Sequence, residues 1–236
     1  MPRALGVLAL LLLPWCAAAQ SIIDLPSEDA RLTHAYWKPG TVERWIVSVH
    51  GTGGNPRRDI EVWQKSLLGR RIGVVALQWW LGGDHYLTPR DLYREIAQTL
   101  RKLSIEPGQA MLHGFSRGSA NLYAVAAMDR GQGGRRLFPL YVASSGGVAT
   151  DFPPTRAILE GRFGPRPLEG SRWVTACGGR DPNPERDGCP GMRRTADWLR
   201  QQGAQVLLAI EDPDGPHGAL QADPRNAAKL LDLPLR

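Results

Sequence analysis

"MLHGFSRGSANLY", residues 111–123, is the stretch on which the reading of this chain turns. It sets Ser116 midway between Gly114 and Gly118, where an apolar strand-like run through Leu112 gives way to a helix-like run from Ala120. A serine hydroxyl is a weak nucleophile until a base takes its proton, so it must stand where a histidine can reach it. A sharp strand-to-helix turn presents it, and bulky residues two positions away on either side would strike the adjoining strand and helix. Glycine at both places meets that requirement. The rival account is an ordinary Gly-rich turn, and the strand before and helix after it argue for the first.

Outward from this turn, continuously apolar runs recur at Trp45–Val49, Val74–Trp80, Ala110–Leu112, Leu140–Ala143, Trp173–Cys177 and Val206–Ile210. Runs without alternation are those of parallel strands covered on both faces. Helix-like stripes lie between them: Ile60, Trp63 and Leu67 before Gly69; Leu92, Ile96, Leu100 and Leu103; Ala120 to Met128; and "CPGMRRTADWLRQQG", which stops at Gly203. A last helix is expected after His217, through Ala227 to Leu233, and Arg31 to Trp37 reads as an antiparallel edge strand. The pattern predicts an α/β fold, a mostly parallel central sheet with helices on both faces. Function in such sheets sits at the carboxyl ends of the strands.

Two side chains fall at such ends. Asp181, in "ACGGRDPNP", follows the Trp173 strand, and His217, in "EDPDGPHGAL", follows the Val206 strand. His217 is the only histidine beyond Ser116, whereas Asp187, Asp212 and Asp214 stand near enough to substitute for Asp181. His113 lies on the strand leading into the turn, a poor place for a base. The order Ser116, Asp181, His217 is that of the α/β-hydrolase fold, and the sequence resembles that family along nearly all of its length. The resemblance implies a Ser-His-Asp triad acting through an acyl-enzyme. It also implies an oxyanion hole from the N–H of Thr52, or alternatively Gly53, in "WIVSVHGTGGNP" and the N–H of Arg117, with His50 bracing the loop. No Lys-Ser/Thr follows this loop, which argues against a phosphate cradle.

Trp80, His85 and Tyr86 are expected to wall the substrate pocket, with the other member of the Trp79–Trp80 pair in the core. Only Val148 to Gly170 lies where such folds carry a lid, too short for a large cap domain. The resemblance points to small lidless serine esterases: carboxylesterases, dienelactone-hydrolase-like enzymes, and the feruloyl-esterase and polyhydroxyalkanoate-depolymerase group. The expected substrate is a small-molecule or polymeric ester. A peptidase or amidase on the same fold, or a catalytically silent exported binding module, are the other readings. No cofactor is called for, and the spacing of histidines and acids suggests no metal.

Arg3, the apolar run Ala4–Leu13 and Ala17–Ala19 read as a signal peptide spanning residues 1–19, leaving a single domain at 20–236. Ten apolar residues fall well short of the roughly 20 that span a bilayer. The expected location is secreted or periplasmic, with no membrane span after cleavage. Loss of Arg3 would lower the net charge from +6 to +5. The basic residues are 25 arginines and 4 lysines, dispersed along the chain rather than gathered into one nucleic-acid-binding stripe. Cys177 and Cys189 remain beyond the signal, an even count that favours a disulfide in an oxidising compartment. That staple would bracket Asp181.

Overall fold

A computed structural model describes residues 21–67 and 69–235. The expected signal peptide lies outside the described residues. Successive apolar residues along one strand point to opposite faces of a sheet, so an unbroken apolar run feeds two cores at once. The strands β3 (Arg44–Val49) and β4 (Ile72–Leu77) do this: Val47, Val49, Val75 and Leu77 enter one cluster, and Ile46, Val74 and Ala76 the other.

The remaining elements, in chain order around these, are β1 (Ile23–Pro26), β2 (Thr33–Trp37), α1 (Pro56–Gln64), β5 (Trp80–Gly82), β6 (His85–Tyr86) and α2 (Pro89–Lys102). They continue with β7 (Ala110–Phe115), α3 (Arg117–Arg130), β8 (Leu140–Ser144), α4 (Pro153–Leu159), β9 (Arg172–Gly178), α5 (Cys189–Gln201), β10 (Gln205–Asp212), α6 (Ala219–Ala222) and α7 (Pro224–Leu231). Eight strands form one sheet in the order β1-β2-β4-β3-β7-β8-β9-β10. From β4 to β10 every pairing is parallel, while β1 and β2 run antiparallel. Helices α2 to α5 supply the larger core and α1, α6 and α7 the other, so both faces are covered. Between β8 and β9 the described chain holds only the short α4, and there is no large cap domain.

The structure corrects three expectations. The Arg31–Trp37 segment is antiparallel as expected but is not the edge, because β1 lies outside it. The strand expected over Val74–Trp80 ends at Leu77, and Trp80 starts a separate hairpin with Tyr86. The final helix is two: Pro224 starts a new one, capped by Asp223, whose side chain accepts from the N–H of Arg225.

Beneath the carboxyl ends of the central strands lies a buried polar cluster. Ser48 Oγ is 2.9 Å from His113 Nδ1, and the Trp63 indole N–H donates to Ser48 Oγ at 3.3 Å. Burial alone drives the His113 imidazole down to about 3. The unfolded chain protonates His113 near pH 6.5 while the fold resists to about 3, so stability is full above 6.5 and falls as pH drops toward 3. The loss from this residue is about 1.4 kcal/mol per pH unit. His34 and His50 are lowered for the same first cause, burial. In urea titrations from pH 7.5 to 5, His113→Asn is expected to flatten the slope of stability against pH by roughly one proton. An unaltered slope would show that His113 takes up its proton equally in both states.

Candidate active site

Ser116 occupies the turn between β7 and α3 with φ 53° and ψ −119°, a strained conformation for a residue with a Cβ. The surrounding strands over-determine it: its N–H donates to the Ser144 carbonyl at 2.9 Å, and its own carbonyl accepts from Ala120 N–H at 3.1 Å. Its side chain makes no capping bond to α3, so the hydroxyl stays available. The flanking glycines are required by contact. A Cβ on Gly114 would lie 2.8 Å from the Gly118 backbone, and one on Gly118 would lie 2.2 Å from the Val49 carbonyl oxygen.

His217 sits in the loop after β10. Its Nδ1 lies 2.6 Å from Asp181 Oδ2, whose side chain is wholly buried, while the imidazole remains 31% exposed. The other Asp181 oxygen accepts the Asn183 N–H at 2.9 Å, which fixes the carboxylate plane. Cys177 and Cys189 form a disulfide that brackets this acid loop. The His217 ring packs on Phe115, the neighbour of Ser116, at 4.9 Å between centroids. Gly218 N–H donates to Ser145 Oγ at 3.2 Å, next to the Ser144 carbonyl that holds Ser116. The end of β8 thus ties the serine turn and the histidine loop to adjoining residues.

The loop after β3 lies against the same serine: a Cβ on Gly51 would be 3.0 Å from Ser116 Cβ. The Gly51 carbonyl accepts His50 Nδ1–H at 2.8 Å and Gly54 N–H at 3.1 Å. A trans peptide is planar, so pinning that carbonyl also sets the direction of the Thr52 N–H on the opposite side. Among the described residues the Thr52 N–H has no acceptor. Arg117 N–H is the first of α3, whose opening donors have no partner within the helix. His50 thus acts as a brace. Its backbone carbonyl accepts the Trp79 indole N–H at 3.0 Å.

A cleft of about 450 Å³ opens over Ser116, bordered by Thr52, Arg117, Ala149, Phe152, Arg186 and Asp187. Trp80 and His85 do not line it. Trp80 donates its indole N–H to Gly83 at the hairpin tip, and His85 is exposed. Tyr86 meets the cleft indirectly, through the Arg117 guanidinium stacked 4.2 Å above its ring. The member of the tryptophan pair that touches the site loop is Trp79, in the core.

Two further features belong to the site: Asp187, which the sequence offered as a substitute for Asp181, and one that has no signal in the sequence. Asp187 comes close to the acid and base, with one ligand atom each of Asp181, Asp187 and His217 within 4.8 Å of one another. The three resemble a metal-binding group, but Nδ1 and Oδ2 are joined to each other and Arg186 forks Asp187 at 2.9 and 2.7 Å. The chemistry is therefore that of an acid–imidazole pair. The second feature is Asp59, buried beside His50 and accepting from Gln221 Nε2 at 3.2 Å. Burial pushes this carboxyl up and His50 down, so both favour their neutral forms. Asp59 links α1, which follows the Thr52 loop, to α6, which follows His217.

No family model matches the chain, and no curated protein matches it in sequence. Solved structures do. A fungal esterase from Rhizomucor miehei is 14% identical with a TM-score of 0.66, covering 90% of this chain and 81% of that one. The carboxylesterase of Mesorhizobium loti is 13% identical at a TM-score of 0.63, with 89% and 99% covered. Acyl-protein thioesterase 2 of Zea mays is 18% identical at 0.59, with 84% and 96% covered. At these identities the likeness is one of architecture, and by that architecture the chain has the α/β-hydrolase fold.

Proposed function

We propose that the protein is an exported serine hydrolase that cleaves carboxylic esters through an acyl-enzyme. The observation that carries this reading is the 2.6 Å bond from His217 Nδ1 to the buried Asp181 carboxylate, in a loop anchored beside the strained Ser116 turn. Asp181 holds the proton on Nδ1, which leaves Nε2 unprotonated and able to take the Ser116 proton as Oγ attacks the carbonyl carbon. The Thr52 and Arg117 N–H groups receive the oxyanion, each contributing about 3 kcal/mol to the transition state. The imidazolium then protonates the leaving alcohol, and a water activated by Nε2 releases the acid.

The esterase neighbours support this chemistry, and the Cys177–Cys189 disulfide suits an oxidising compartment such as the periplasm or the exterior. A cleft of about 450 Å³ without a cap fits small or polymer-borne esters. The test is a panel of 4-nitrophenyl esters of increasing acyl length, with feruloyl and polyester substrates beside it. Turnover is expected for short acyl chains and is expected to be lost in Ser116→Ala. No turnover of any ester, or turnover that survives in that variant, would contradict the assignment.

A further inference from the structure

Arginines dispersed in the sequence come together on one flank of the molecule. Arg90, Arg94 and Arg101 project from α2, and Arg135 from the loop after α3, around a cleft of about 400 Å³ floored by Tyr93 and Ala97. The loop carrying Arg135 is fixed against α2: its N–H donates to the Tyr93 hydroxyl at 3.2 Å, which in turn donates to the buried Asp129 carboxylate at 2.8 Å. Arg90, Arg101 and Arg135 have no acidic partner among the described residues, while Arg94 lies 3.0 Å from Asp91. Of the acids at the border, Asp91 is paired with Arg94, while Glu28 accepts from the neutral Gln98 amide at 2.9 Å and keeps its charge, one carboxylate against the three arginines without an acidic partner. The cleft is therefore a concave surface of net positive charge.

Its dimensions select the ligand. Arg90 and Arg101 are eleven positions apart on the helix, about 16 Å along its axis, so the charges form a track rather than a point. Guanidinium forks match planar carboxylates in pairs. A membrane would require protruding apolar residues, but the exposed large ones, Ile23, Leu159 and Leu207, lie outside this cleft. A single-stranded nucleic acid would stack its bases on a free aromatic ring, and Tyr93 is committed to Asp129 and Arg135. Arg90 stands four residues after Tyr86, which carries Arg117 on its ring, but it also lines a neighbouring cleft with Met128 and Gly131, at the end of α3 away from Ser116 and about 16 Å along that helix from Arg117. A linear polymer lying in the track is long enough to span that distance, whereas a small anion is not.

We propose that the α2 cleft binds a linear acidic polysaccharide, a chain of sugar carboxylates, and so delivers esters borne on that chain to Ser116. Binding stands on the cleft alone; the delivery step rests on the esterase reading. The binding arm uses Ser116→Ala, so that it does not depend on catalysis, in affinity electrophoresis through gels containing polygalacturonate. Retardation is expected in polygalacturonate and not in dextran, weakening as salt rises and lost in the combined Arg90→Gln, Arg101→Gln and Arg135→Gln variant. These side chains are exposed, and an unchanged thermal midpoint verifies that the variant is folded. Equal retardation of variant and parent, equal retardation in dextran, or tighter binding of a DNA oligomer or of anionic vesicles would overturn the proposal. The kinetic arm uses enzyme with Ser116 intact. The triple variant is expected to keep its rate on 4-nitrophenyl acetate and to raise KM about tenfold on partially acetylated polygalacturonate. Binding without ester turnover would sink the catalytic reading and leave the cleft standing; unchanged KM on the polymer would sink delivery.

Discussion

Replacing Ser116 by alanine is expected to lower kcat/KM for ester hydrolysis by about 10⁴- to 10⁶-fold while the thermal midpoint stays nearly constant. The two halves follow from different parts of the geometry. The hydroxyl makes no capping bond to α3, so removing it orphans no partner. The positive φ of 53° costs an alanine about what it costs a serine, and the backbone bonds to Ser144 and Ala120 remain. The loss is therefore chemical: Oγ is the atom that would form the acyl bond. Rate measured beside a thermal melt checks both halves. Comparable activity in variant and parent would remove Ser116 from the mechanism, and a collapsed melt would mean that the turn needs the hydroxyl to fold.

Asp181→Asn is expected to have the next largest effect, a fall of about 10³- to 10⁴-fold in kcat with a much smaller change in KM. An asparagine amide donates to Nδ1 instead of accepting from it, which moves the ring proton to Nε2 and leaves no lone pair facing the serine. The shape is preserved, since the side-chain oxygen still accepts from Asn183 N–H. Asp187, for all its proximity, is not expected to compensate, because its carboxylate is held by the Arg186 fork. Asp187→Asn should accordingly cost less than about tenfold. A larger loss for Asp187 than for Asp181 would transfer the orienting role to the former. Steady-state kinetics of the two variants, side by side, decide it.

What was legible in the sequence was whatever depends on local pattern. The unbroken apolar runs predict parallel strands because both sheet faces are covered, and Gly114 and Gly118 mark a turn whose packing tolerates no Cβ. Strand β1 was not legible: it has four residues ending in a proline, and it forms only because β2 offers an edge. The hairpin of Trp80 and Tyr86 was hidden in an apolar run continuous with β4. The link from Asp59 to Gln221 spans 162 positions, and the arginines of the α2 cleft are spread over 45, separations that no local period encodes. Of the site, Ser116, Asp181 and His217 stood out by position after strands. The pocket wall did not, because whether Trp79 or Trp80 faces inward depends on where β4 ends.

The account rests on Ser116 being a hydroxyl made reactive by its surroundings, and labelling with a fluorophosphonate followed by peptide mass spectrometry tests that most directly. One adduct per chain is expected, on the peptide that contains Ser116, absent from Ser116→Ala and strongly slowed in His217→Ala. A folded protein that takes up no label, or takes it up at another residue, would contradict the account.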